Sequence, residues 1–112
     1  MTSNQEWMNY LASAARAAGV VGQAVERMHA GRLIAVIERE DGTFWMPHID
    51  MGHALWLAVK LEINILPTME RASCRNPEYT GWINEDATHD PYSATCRAIV
   101  RAAAEMSKAG AK

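Results

Sequence analysis

Arg32-Leu-Ile-Ala-Val-Ile-Glu38 is β-branched and apolar, Thr43-Phe-Trp-Met-Pro47 repeats that character in miniature, and Arg39-Glu-Asp-Gly42 lies between them. Branched and aromatic side chains fit a pleated, half-buried surface. The Asp41-Gly42 pair favours a turn with positive φ. The stretch therefore predicts a β-hairpin that ends at Pro47. Asp50 then stands where an N-cap is needed, because its carboxylate can accept from the orphan amides of a first helical turn. Met51, Ala54, Leu55, Ala58 and Leu61 follow on one helical stripe, and Trp56 and Val59 widen it. A largely buried helix is expected there.

Outward from this centre the signals weaken. Ser3 and Glu6 have capping-box spacing, so a helix starts there with Trp7, Met8, Leu11, Ala14, Ala15 and Ala18 as its apolar positions and Gly19 as its stop. Its alanine-rich face suits close packing. Residues 20–30 are open between a short helix and an irregular strand. Ile63-Asn-Ile-Leu66, halted by Pro67, reads as a short strand. Residues 71–74 and 79–83 read as edge strands, and residues 84–90 as a solvated loop. Asp90 and Pro91 open a last helix as N-cap and first residue. Tyr92, Cys96, Ile99, Ala103 and Met106 form its apolar face, opposite Arg97, Arg101, Glu105 and Lys108; the tail from about 108 to 112 is expected to fray. One domain over residues 1–112 is expected, of α/β (α+β) class, with one small mixed sheet that includes the hairpin.

Bulk composition narrows the function. The chain has 112 residues, 49% of them hydrophobic, which allows one core and little more. A net charge of −2 argues against a general nucleic-acid or membrane-surface binder, both of which need a basic excess. No segment reaches the ~20 apolar residues of a membrane span, and the N-terminal stretch lacks the pattern of a signal peptide. A cytoplasmic protein with two reduced thiols, Cys74 and Cys96, is expected.

Two blocks carry a family resemblance. Residues 44–65, FWMPHIDMGHALWLAVKLEINI, resemble the aromatic-x-P-x-x-D-x-G-x-AL-x-LAVKL block of small bacteriophage proteins of the NinX-like, phage ABA-sandwich group. Residues 90–106, DPYSATCRAIVRAAAEM, resemble their closing helix. Together they cover about a third of the chain, in the family's order. The resemblance implies a three-layer α/β/α sandwich and a phage or prophage origin, hence a host-cell cytoplasm as its place of action; it implies no particular reaction. His48 stands where the family usually has Asn or another small polar residue, and His53 where an acidic residue is common.

Three groups of residues could carry chemistry. His48, Asp50 and His53 have metal-ligand chemistry, but capping occupies Asp50 and no third well-spaced ligand follows, so no metal is expected. The start of the last helix is an anion site in principle, through its free amides, Ser93, Thr95 and Arg97, with Tyr79, Trp82 and Tyr92 near in sequence to stack on a ring. Trp45, Trp56 and His48 form a third group, suited to an interface or to the core. Glycine-rich phosphate loops, nucleophile elbows and zinc-protease motifs are absent, so no catalytic residue and no cofactor is expected.

The expected function is therefore stoichiometric binding: a phage-encoded accessory protein, acting in counter-defence, that sequesters a small anionic, nucleotide-like ligand or blocks a host protein. A homo-oligomer is expected. Two alternatives stay open: a self-assembling interaction module without a small ligand, and a small metal-dependent hydrolase using His48, His53 or His89.

Overall fold

In a computed structural model, which describes residues 2–68, 70–77 and 81–110, the chain is a mixed α+β fold of three helices and two three-stranded antiparallel sheets. Helix α1 spans Asn4–Ala18. The Ser3 hydroxyl accepts from the Glu6 amide and the Glu6 carboxylate accepts from the Ser3 amide, so the capping box is closed from both sides. Gly19, at φ 77°, ends the helix.

Strand β1 (Gly22–His29) resolves the open reading of residues 20–30. It pairs along its whole length with β2 (Arg32–Arg39), from Gly22 opposite Arg39 to His29 opposite Arg32. Both residues of the two-residue turn have positive φ, Ala30 at 50° and Gly31 at 79°. The preferred Asn-Gly signal of such a turn is missing, which is why the strand is hard to read from sequence. At Gly22 a side chain is excluded: a Cβ would lie 2.6 Å from the Glu38 carbonyl oxygen.

The predicted hairpin forms as β2 paired with β3 (Phe44–Trp45), which is shorter than expected. Gly42 has φ 85°, its amide donates to the Arg39 carbonyl, and Asp41 accepts from the Thr43 amide and hydroxyl. Ile37 sits opposite Trp45, and both are buried.

Helix α2 (Met51–Leu61) begins where Asp50 accepts from the His53 amide at 2.9 Å. After it, β4 (Asn64–Pro67), β5 (Arg71–Arg75) and β6 (Ile83–Asp86) form the second sheet in sequence order. The expected single mixed sheet is thereby corrected: no strand of the first sheet pairs with one of the second among the described residues, and every pairing is antiparallel. Residues 84–86, read as loop, are strand and continue from Ile83, the last residue of the expected 79–83 strand, whose residues 79 and 80 lie outside the described residues; β5 gives them a partner that their polar composition hides.

Helix α3 (Pro91–Gly110) is the centre of the molecule. It packs on α1, on α2 and on the second sheet, while α1 covers β1 and β2 of the first. Small side chains make this possible. Ala94, Ala98, Ala102 and Ala103 of α3 and Ala14, Ala15 and Ala18 of α1 are all buried, so the helix backbones approach closely. Leu11, Ile37, Trp45, Leu57 and Ile99 fill the space around them; full burial of each such side chain contributes about 1.5–3 kcal/mol. Asn76 is buried after β5 and donates to the Ala102 carbonyl of α3 at 2.6 Å.

Two further expectations change. Tyr92 is 67% exposed rather than on the apolar face of α3, because the buried positions begin at Ala94 and Tyr92 lies before them. Helix α2 is only half covered: Ala54, Leu57, Ala58 and Leu61 are buried, whereas Met51, Leu55, Trp56 and Val59 are exposed. It leans on the core with one side only.

Candidate functional site

A cleft of about 550 Å³ opens where the start of α1, the start of β2, the corner before α2, β6 and the start of α3 meet. Trp7, Arg32, His48, Glu85, Ser93 and Arg97 are among its lining residues. Residues far apart in sequence thus share one concave surface, the usual setting for a small ligand.

Arg97 projects from the second turn of α3 and donates through Nε to Glu85 Oε1 at 3.0 Å. Arg101, one turn on, donates to the other oxygen of Glu85 and to the Asn84 carbonyl at 3.3 Å. One carboxylate serves two guanidinium groups, so the trio keeps one positive charge in excess. Arg32 adds another: it is exposed at the start of β2 and makes no ion pair among the described residues. Two guanidiniums, Arg32 and Arg97, and one carboxylate, Glu85, thus line the cleft, with the Asp86 and Asp90 carboxylates close enough to Arg97 to feel its charge.

The helix start does not work as expected. Asp90 caps it, accepting from the Tyr92 amide at 3.1 Å, the Ser93 amide at 3.2 Å and the Ser93 hydroxyl at 2.7 Å. Those bonds to Ser93, with smaller help from the Tyr92 amide and the Arg97 charge, hold the Asp90 carboxyl below the usual range. The first amides are thus already occupied by an anion belonging to the chain. Thr95 is also committed, its hydroxyl donating to the Pro91 carbonyl at 2.7 Å.

The expected aromatic neighbours do not join the cleft. Tyr92 and Trp82 are exposed and are not among its lining residues, and Arg75 stacks over the Trp82 ring at 5.0 Å. Tyr79 lies outside the described residues. Of the expected ligand-binding residues that are described, the structure brings Arg97 and Ser93 together in the cleft.

The interface group separates. Trp45 is a core residue with Trp56 edge-on to it at 6.3 Å, and Trp56 remains half-exposed. His48 is 5% exposed, lies 5.1 Å from the Trp7 ring, and has a buried Nδ1 without a hydrogen-bond partner. Its burial pushes the imidazole down to about 4, so it is neutral at pH 7 and adds no charge to the cleft.

The corner predicted as a candidate metal site has other tasks. Asp50 caps α2, and His53 Nδ1 accepts from the Met46 amide at 3.1 Å. Among the described residues no group of three or more His, Cys, Asp or Glu is placed to hold a metal ion. Both thiols are free and buried; burial pushes Cys74 up to about 12 and, with Asp50 and Asp90 nearby, Cys96 up to about 11. Neither is a thiolate at neutral pH, as a nucleophile must be.

Sequence reasoning missed Arg32, Glu85 and Trp7. Arg32 and Arg97 are brought together by two separate sheets packing on the α1–α3 pair, and no local spacing records that. Among the described residues, no helix is long and apolar enough to cross a membrane. In comparisons with known proteins, no family model, no curated protein and no solved structure matches the chain.

Proposed function

We propose that the chain is a binding protein for a small anionic, nucleotide-like ligand, held in the cleft between Arg32 and Arg97. The observation that carries this reading is a concave site that two guanidiniums line: Arg32, without an ion pair among the described residues, and Arg97, which shares Glu85 with Arg101. Arg97 and Arg32 bind the anionic group, since guanidinium forks make charge-assisted bonds to phosphate or carboxylate oxygens. The Ser93 hydroxyl, whose proton is engaged by Asp90, has only acceptor lone pairs left, so it can receive a sugar hydroxyl or base N–H of the ligand and not its anionic group. Neutral His48 and Trp7 form the apolar floor.

The setting rests on the resemblance of residues 44–65 and 90–106. In that setting the protein is phage-encoded, acts in counter-defence by stoichiometric sequestration in the host cytoplasm, and carries the three-layer sandwich that the family implies.

A thermal-shift series against inorganic phosphate and nucleoside mono-, di- and triphosphates tests the binding. A ligand at a hundredfold excess over its Kd adds about 2.7 kcal/mol and raises the melting temperature clearly. Arg32→Ala should weaken the response about tenfold in affinity, the loss of one charge-assisted contact of about 1.4 kcal/mol, and Arg32→Lys should restore part of it. No shift with any of these anions would favour a protein-interaction module instead.

A further inference from the structure

The exposed side of α2 carries a cluster of large apolar side chains. Met51, Leu55 and Val59 succeed one another one turn apart, Trp56 stands beside them, and Ile49 precedes them at the corner; these five are between 43% and 71% exposed. From Met51 to Val59 the helix contains no acidic or lysine and arginine side chain. A solvent-facing helical arc is ordinarily polar. This one is apolar on both sides, with the core taking only Ala54, Leu57, Ala58 and Leu61.

We infer that this face pairs with the same face of a second copy of the chain, across a two-fold axis that crosses α2 near Leu55. Area supports this occupant. The five residues present about 500 Å² per chain, so a symmetric pair that covers them completely buries about 1,000 Å² from them, the threshold for a specific interface. Charge supports it as well. In a two-fold contact a charge close to the axis meets its like; the stretch from Met51 to Val59 around Leu55 has no Asp, Glu, Lys or Arg, and the charged side chains next to it are Asp50 and Lys60 at its ends and Arg39 at the hollow beside Trp56. The first sheet, by contrast, exposes Glu26, Arg27 and Arg32.

Geometry adds an anchor. Trp56 rests edge-on against buried Trp45, and with Gly52, His53, Val20 and Arg39 the two indoles border a hollow of about 310 Å³. A fixed aromatic beside a small hollow is the pattern of an interface hot spot. Gly52, without a side chain on the same exposed arc, lets a partner helix come close.

Sedimentation velocity up to high-micromolar concentration is the test, with Leu55→Glu as the variant. The wild type should sediment as a dimer and Leu55→Glu as a folded monomer with an unchanged circular-dichroism spectrum. A second variant, Leu55→Cys, keeps the test valid if the glutamate prevents folding. Leu55 lies near the proposed axis, and Cys74 and Cys96 are buried, so mild oxidation should trap a disulfide-linked dimer in high yield. A wild type that stays monomeric throughout would overturn the proposal. So would a dimer that survives Leu55→Glu, or a Leu55→Cys protein that does not cross-link.

Discussion

Single residues carry two costs that the rest of the chain offsets. Ala30 is held at φ 50°, where an L-residue with a Cβ is disfavoured by about 1 kcal/mol. Asparagine tolerates that conformation and is preferred at the first position of this turn type. Ala30→Asn is therefore expected to raise unfolding stability by about 1 kcal/mol in urea titration. His48 is the other cost. In the unfolded chain its imidazole takes up a proton near 6.5, in the native protein only near 4. Between those values the unfolded state binds more protons, so the stability present above about pH 6.5 falls as the pH drops toward 4, by about 3 kcal/mol in all. Urea midpoints measured across that window should slope for the wild type and be flatter for His48→Gln. Equal slopes would mean that the buried ring is not the titrating group.

At the scale of elements, α2 shows what a stripe of apolar residues does and does not reveal. Its start was legible because Asp50 has a single chemical task there, and the cap forms as expected. The buried side was not, because nearly every position from Met51 to Leu61 is apolar and periodicity has no polar side to contrast. Burial separates two leucines two residues apart: Leu57 is fully enclosed and Leu55 is 61% exposed. Leu57→Ala should cost about 2–5 kcal/mol in denaturant titration. Leu55→Ala, in protein too dilute to self-associate, should stay within about 0.5 kcal/mol of the wild type. The same contrast explains the strands. β2 announces itself through Leu33 to Ile37, whereas β6, Ile-Asn-Glu-Asp, is polar enough to pass for loop and is strand only because β5 lies alongside. Residues 20–30 hid β1 for the reason that strains Ala30: the turn residues are not the ones its geometry prefers.

For the whole molecule, the helices and the central hairpin were legible, and the division into two sheets was not, since pairing between distant strands leaves no local mark. The site followed the same rule. Arg97 and Ser93 were readable because helix starts attract anions, yet Asp90 already fills that role, and the cleft owes its two guanidiniums to Arg97, which shares Glu85 with Arg101, and to Arg32 arriving from the first sheet. Packing of both sheets on α1 and α3 assembles it. Amide NMR spectra recorded while ATP and, separately, inorganic pyrophosphate are added test that most directly. The expected result is a saturable set of shift changes confined to the residues around Arg32, Ser93 and Arg97. Unmoved signals with both anions, or changes clustered on another face of the protein, would contradict it.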